Sequence, residues 1–187
     1  MTAVRHKQFE TFAGPHSWLL SAEDLHEQIL ILRKQRGRLI LTELDHNNRL
    51  VNQLDGADRA CFLLAGFCLE NLLKGLIIHN NCKLIENGQL HSKVKTHDLR
   101  KLLRDANVAD ATLKDLEFAD LISDGIVSWA RYPCDLNVDR TDRPHTFSET
   151  LWETYVSLYS RLQTRLKNLL EAGWTSPSGQ FSRYVFQ

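Results

Sequence analysis

The sequence predicts an all-α protein, an antiparallel bundle of four or five helices. Three observations carry the prediction. Apolar residues recur at three- and four-residue spacing in long stretches, at Trp18, Ala22, Leu25, Ile29 and Leu32 and again from Leu151 to Leu169. Residues 60–78 are apolar on nearly every side, as in a central bundle helix. Strand signals are scarce, and no repeat or low-complexity run appears.

Taken in order, residues 1–14 form an N-terminal arm. Pro15 suits the first position of a helix running to about Arg36. In the stretch 37–56, Leu39-Ile40-Leu41 reads as a short strand or part of a helix, and Asp45-His46-Asn47-Asn48 as a turn. Asp55 is the expected cap of the central helix, which ends near His79-Asn80-Asn81. After a loop with Asn87-Gly88, Thr96 caps a helix over His97 to Asp105. Asp110 caps the next helix, and Asp124-Gly125 stops it. An irregular segment runs from Ile126 to His145. Thr146 and Glu149 then have capping-box spacing before a stripe of Leu151, Tyr155, Leu158, Leu162, Leu166 and Leu169. The tail, 173–187, is expected to be loosely held, with aromatics able to dock. One domain is expected, with a helical core over about 15–172.

Composition narrows the class further. The 187 residues are 43% hydrophobic and 25% charged, which excludes a disordered chain. Net charge is zero, with 23 basic and 23 acidic residues, which excludes a polybasic protein but not a local basic face. The segment from His79 to Arg104 has six basic residues against two acidic ones. From Asp105 to Asp124 there are six acidic residues against Lys114. Two neighbouring helices whose charges attract is the simpler reading, and a face for a nucleic-acid backbone the sharper one. No secretory signal is visible at the N-terminus. Glu70 and Lys74 interrupt the most apolar stretch, so a buried core helix is expected and no membrane span. Four cysteines without a C-x-x-C fit a reducing cytoplasm.

Glu70 and Lys74 stand at i, i+4 in the favourable order on an otherwise apolar helix. A structural ion network is the expected role, with Arg131 as the candidate third member. His97 is expected to cap a helix or touch a buried carbonyl. Trp129 to Pro133 reads as a loop anchor rather than a base-stacking platform. No metal-ligand spacing, Gly-rich phosphate loop or nucleophile context occurs, so no cofactor and no metal are expected.

Four pieces in order resemble the HEPN superfamily of small helical proteins. They are the helix Leu64 to Gly75 with its Glu-x-x-x-Lys step, Thr96-His97-Asp98-Leu99 with Leu102 and Leu103, Trp129-Ala130-Arg131-Tyr132-Pro133, and the long last helix from about Thr146. Together they cover roughly residues 15–172. The resemblance implies one of two roles: a metal-independent endoribonuclease, or a non-catalytic dimerisation or partner-binding module. The family's catalytic signature is an arginine followed after four to six residues by a histidine near the start of the last helix. Arg140-Thr-Asp-Arg-Pro-His145 has that spacing and place, with Thr141 where a polar Asn, Asp or His often stands. The resemblance thus makes Arg140 and His145 the catalytic pair. Arg143, Arg131, Glu70, Lys74 and His97 are the supporting candidates. Cleavage would use the RNA's own 2′-hydroxyl, with His145 moving a proton and Arg140 stabilising phosphoryl charge. It further implies a homodimer, RNA as substrate, and a toxin or phage-defence setting with a nucleotidyltransferase-like antitoxin as partner.

Overall fold

The computed structural model describes residues 2–38, 40–132 and 146–186. The protein is mostly helical, with six helices and three small two-stranded hairpins among those residues. A packed helical core is as expected; the hairpins are strand structure that the helical periodicity did not announce.

Helix α1 (Thr2–Ala13) forms where an arm was expected. Gly14 separates it from α2 (Pro15–Lys34), which has Pro15 in its first turn. The Trp18 indole N–H donates to Ala13 O at 3.0 Å and ties the two helices together. Ala22 and Ile29 of the predicted stripe are buried, as is Leu19 beside it.

The stretch left open as strand, helix or loop is a hairpin of β1 (Ile40–Leu44) and β2 (Leu50–Asp55), paired Ile40 to Asp55 through Leu44 to Leu50. The expected turn is there: the Asp45 carboxylate accepts from Asn47 N at 2.7 Å and Arg49 N at 2.8 Å, with Asn48 at φ 60°.

Helix α3 (Gly56–Asn80) is capped by Asp55, which accepts from Ala57 N at 2.9 Å. It packs against α2, α4, α5 and α6. Its mean hydropathy reaches 1.8, enough with its length to cross a membrane, but 78% of that stretch is buried inside this fold. Gly66 is needed for closeness rather than flexibility. A Cβ there would lie 2.6 Å from Ile126 Cγ1 and 2.7 Å from Ile122 Cγ2, both on α5. Phe62 meets Trp129 and Phe147 edge-to-face, each with centroids 4.7 Å apart, so both ends of the irregular segment anchor on α3.

A second hairpin, β3 (Ile85–Glu86) and β4 (Gln89–Leu90), turns at Asn87 and Gly88. Both have positive φ, 51° and 70°, as a tight hairpin turn demands. Helix α4 (Leu99–Asp105) is capped by Asp98, whose carboxylate accepts from Lys101 N at 2.9 Å. Thr96 instead accepts from Asp98 N. Helix α5 (Leu113–Val127) starts at Thr112, which forms a capping box with Asp115. Asp110 is not the cap because Arg161 holds its carboxylate at 2.8 Å. Gly125 does not stop α5; it makes room for Trp129, whose Cζ2 would be 3.1 Å from a Cβ there.

Helix α6 (Glu149–Ala172) is capped by Ser148, not Thr146, and ends at Gly173 with φ 115°. The tail is held, not loose. Trp174 is buried, β5 (Trp174–Thr175) pairs with β6 (Phe181–Ser182), and Tyr184 Oη is 2.8 Å from His16 Nδ1 with the rings stacked.

Candidate functional site

Helix α3 carries one buried charged cluster in its middle and a second set of charges at its first turn. In the middle, Glu70 and Lys74 are one turn apart, and their side chains are only 8% and 7% exposed. Lys74 Nζ donates to Glu70 Oε1 at 2.6 Å. The second carboxylate oxygen, Oε2, accepts from His97 Nδ1 at 2.8 Å. The Lys74 ammonium also sits 5.7 Å from the centre of the Trp18 ring. Both carboxylate oxygens are thereby satisfied, as burial of a charge requires. His97 is the third member, not Arg131, and it neither caps α4 nor contacts a buried carbonyl. Its side chain remains 51% exposed. Because a carboxylate oxygen only accepts, Nδ1 is the donor nitrogen in this contact.

At the first turn of α3, several segments converge. Asp58 is buried, and Arg36 Nη2 from the end of α2 lies 3.1 Å from its Oδ1. The Phe147 backbone N–H also hydrogen-bonds the Asp58 carboxylate. Burial nevertheless dominates and raises the Asp58 pKa above the usual carboxylate range. Next to it, Arg59 Nη1 donates to Tyr132 O at 2.6 Å. Arg131 lies 5.6 Å from the centre of the Tyr132 ring. Arg33 pairs with Glu149 and stacks 4.3 Å over Trp152. Arg59 and Arg131 thus contact Tyr132, Arg36 reaches the Asp58 carboxylate that Phe147 also meets, and Arg33 holds Glu149 at the start of α6. Asp55, at the same place, is held below its usual pKa, chiefly by the Ala57 N–H it caps.

Arg140, Arg143 and His145 lie outside the described residues. Of the supporting candidates, Glu70, Lys74 and His97 come together. Arg131 does not join them: its neighbour Tyr132 is held by Arg59, eleven residues or about 16 Å along α3 from Glu70. Among the described residues no group of three His, Cys, Asp or Glu is arranged to hold a metal ion.

Two further polar networks escaped the sequence reading. Between α2 and α6, His26 Nδ1 meets Tyr155 Oη at 2.8 Å and stacks on Tyr159 at 3.8 Å. Gln163 there donates to Glu23 and to Tyr159 Oη, and Lys167 pairs with Glu23 at 2.6 Å. Burial lowers the His26 pKa and pushes the Tyr155 and Tyr159 phenols far up, so all three rings are neutral near pH 7. Between α6 and the loop before α5, Arg161 bridges Asp110 at 2.8 Å and buried Asp115 at 2.7 Å. A shallow groove of about 580 Å³ runs past it, lined by Val108, Arg161, Arg165 and Asn168 among others. Among the described residues the opposite charges of 79–104 and 105–124 meet in two ion pairs, Arg100 to Asp120 at 3.1 Å and Arg104 to its neighbour Asp105 at 3.7 Å.

Among known proteins, no family model, no curated protein and no solved structure matches the chain.

Proposed function

We propose that this chain is a HEPN-like antiparallel helical bundle that cleaves RNA without a metal ion, working as a cytoplasmic homodimer. The observation that supports this reading is the set of arginines on the described residues either side of 133–145: Arg59 and Arg131 at Tyr132, Arg36 at Asp58 and Arg33 at Glu149. Planar guanidinium groups suit phosphate oxygens, and base contacts are not needed for backbone binding. In this proposal His145 takes the proton from the 2′-hydroxyl, whose oxygen attacks the adjacent phosphorus. The P–O5′ bond breaks, and the departing oxygen takes up a proton. Arg140, with Arg143 beside it in sequence, stabilises the charge on the phosphoryl oxygens. The products are a 2′,3′-cyclic phosphate and a 5′-hydroxyl. A nucleotidyltransferase-like antitoxin is the proposed partner, in a toxin or phage-defence setting. Glu70, Lys74 and His97 hold the fold rather than the reaction in this reading.

A second reading is a non-catalytic dimerisation or partner-binding module. The exposed apolar side chains of the β1–β2 hairpin favour it, as do the carboxylate partners already held by Arg33 and Arg36.

The test is incubation with a structured RNA pool in EDTA, beside an Arg140→Ala/His145→Ala variant of equal stability. The proposal expects cleavage with 2′,3′-cyclic ends by the native chain alone. Cleavage by neither moves the assignment to the binding module, and cleavage by both removes Arg140 and His145 from the site.

A further inference from the structure

We infer that β1 is the contact strand of the homodimer, pairing antiparallel with β1 of a second copy about a two-fold axis through Thr42. The inference rests on the homodimer of the proposed function and names its interface. Every residue of β1 is exposed, whereas β2 becomes half-buried at Leu54 and Asp55, where it runs straight into α3. Ile40, Leu41 and Leu44 are 40%, 66% and 51% exposed. An isolated two-stranded hairpin is marginal in water, and exposed strand edges are normally defended by lysine, proline or an inward charge. The sequence Ile-Leu-Thr-Glu-Leu has no lysine and no proline; its one charge is Glu43, and its ladder with β2 shifts register between Glu43 and Leu44.

The occupant follows from the register. With Thr42 on the axis, Ile40 faces Leu44 of the second copy, and Leu41 faces its Glu43. Both ends of the ladder then join apolar side chains, and no like charges are opposed. Moving the axis one residue to Glu43 would set two carboxylates against each other. The Thr42 axis is also the one that pairs all five residues of β1 with one another.

The hairpin's root connects this interface to the proposed site. Gly37 N donates to Asp55 Oδ2 at 2.6 Å, and Arg36 pairs with Asp58 just beyond. Both legs of the hairpin are thus fixed at the first turn of α3. Joining two β1 strands brings two arginine-rich ends towards one another. A five-residue ladder is small beside a standard interface of about 1,600 Å², so dissociation in the micromolar range is expected.

The test combines light scattering across a concentration series with cross-linking of the full chain. Thr42→Cys is expected to give an oxidised dimer well above the background of the native cysteines. The control Gln53→Cys shares the face of Thr42 but lies on β2. In the four-stranded sheet it is three strand spacings, about 14 Å, from its own copy, beyond disulfide reach. Leu44→Lys is expected to raise the dissociation constant by about tenfold or more with little change in melting temperature. A dimer that Thr42→Cys does not cross-link and Leu44→Lys does not weaken overturns the interface and leaves the homodimer standing. Preferential cross-linking through Gln53→Cys overturns it in favour of the β2 edge. A monomer at every concentration overturns both, while RNA cleavage is scored separately.

Discussion

Replacing Lys74 by methionine removes one charge from the buried cluster and keeps the shape of the stem. Glu70 is then left 92% buried by side chain, with only His97 on Oε2 and no partner on Oε1. At 2.6 Å and an effective dielectric constant of about 20, the Lys74–Glu70 attraction is about 6 kcal/mol before desolvation of the two ions is counted. Desolvation consumes much of that, so the pair contributes little net stability, but breaking it strands a buried carboxylate. The expected loss is about 3–5 kcal/mol. For a chain of this size that is a fall in Tm of roughly 6–20 °C. Glu70→Gln should cost a similar amount, because it strands the ammonium. The double variant Glu70→Gln/Lys74→Met should cost far less than the sum, with a coupling energy of at least about 2 kcal/mol. Urea unfolding followed by far-UV circular dichroism measures all three. Single losses below about 1 kcal/mol, or a strictly additive double variant, would refute the reasoning.

Other outcomes follow from the same structure. Gly66→Ala should destabilise the chain by about 1–3 kcal/mol, since its Cβ would press on Ile122 and Ile126; an unchanged urea midpoint would show that α3 and α5 pack less closely. Burial lowers the pKa of His16 and His26 below the 6.5 of an unfolded chain, so between those values the unfolded state binds more protons. Stability is therefore complete above about pH 6.5 and falls as pH drops through the window beneath it, a slope that His26→Gln should flatten in urea midpoints taken at several pH values. Burial raises the Cys61 thiol to about 11 and Cys68 to about 12, so a thiol reagent at pH 8 should leave both unmodified until the chain unfolds; labelling of either in the native protein would contradict their burial.

What could be read from the sequence was the local chemistry. Asp55 and Asn87-Gly88 act as expected, because a cap and a tight turn need only neighbours along the chain. Three other caps fall two residues later than expected, at Asp98, Thr112 and Ser148 instead of Thr96, Asp110 and Thr146. In each case a second capping residue followed two positions on, and Asp110 was taken by a tertiary contact with Arg161. Helix α1 has no apolar stripe, so nothing in its periodicity marked it. The same limit applies to the candidate sites. The Glu70–Lys74 step is visible at helical spacing, but His97 is 27 residues from Glu70, and only the fold decides that it, rather than Arg131, completes the cluster. The His26 network draws on two helices, α2 and α6, whose bonded residues are 129 and 140 apart in sequence, with no spacing to betray it. The arginines at the first turn of α3 are scattered from Arg33 to Arg131 and become a cluster only when four segments meet.

The central claim is that RNA cleavage belongs to the arginine-rich end of the molecule and not to the buried cluster about 16 Å along α3. Cleavage of structured RNA in EDTA should therefore be compared for the native chain, His145→Gln and His97→Gln, each below its own melting temperature. The native chain and His97→Gln are expected to cleave, and His145→Gln is not. Loss of cleavage in His97→Gln with retention in His145→Gln would put the reaction at Glu70, Lys74 and His97, and an inert native chain would contradict the nuclease assignment altogether.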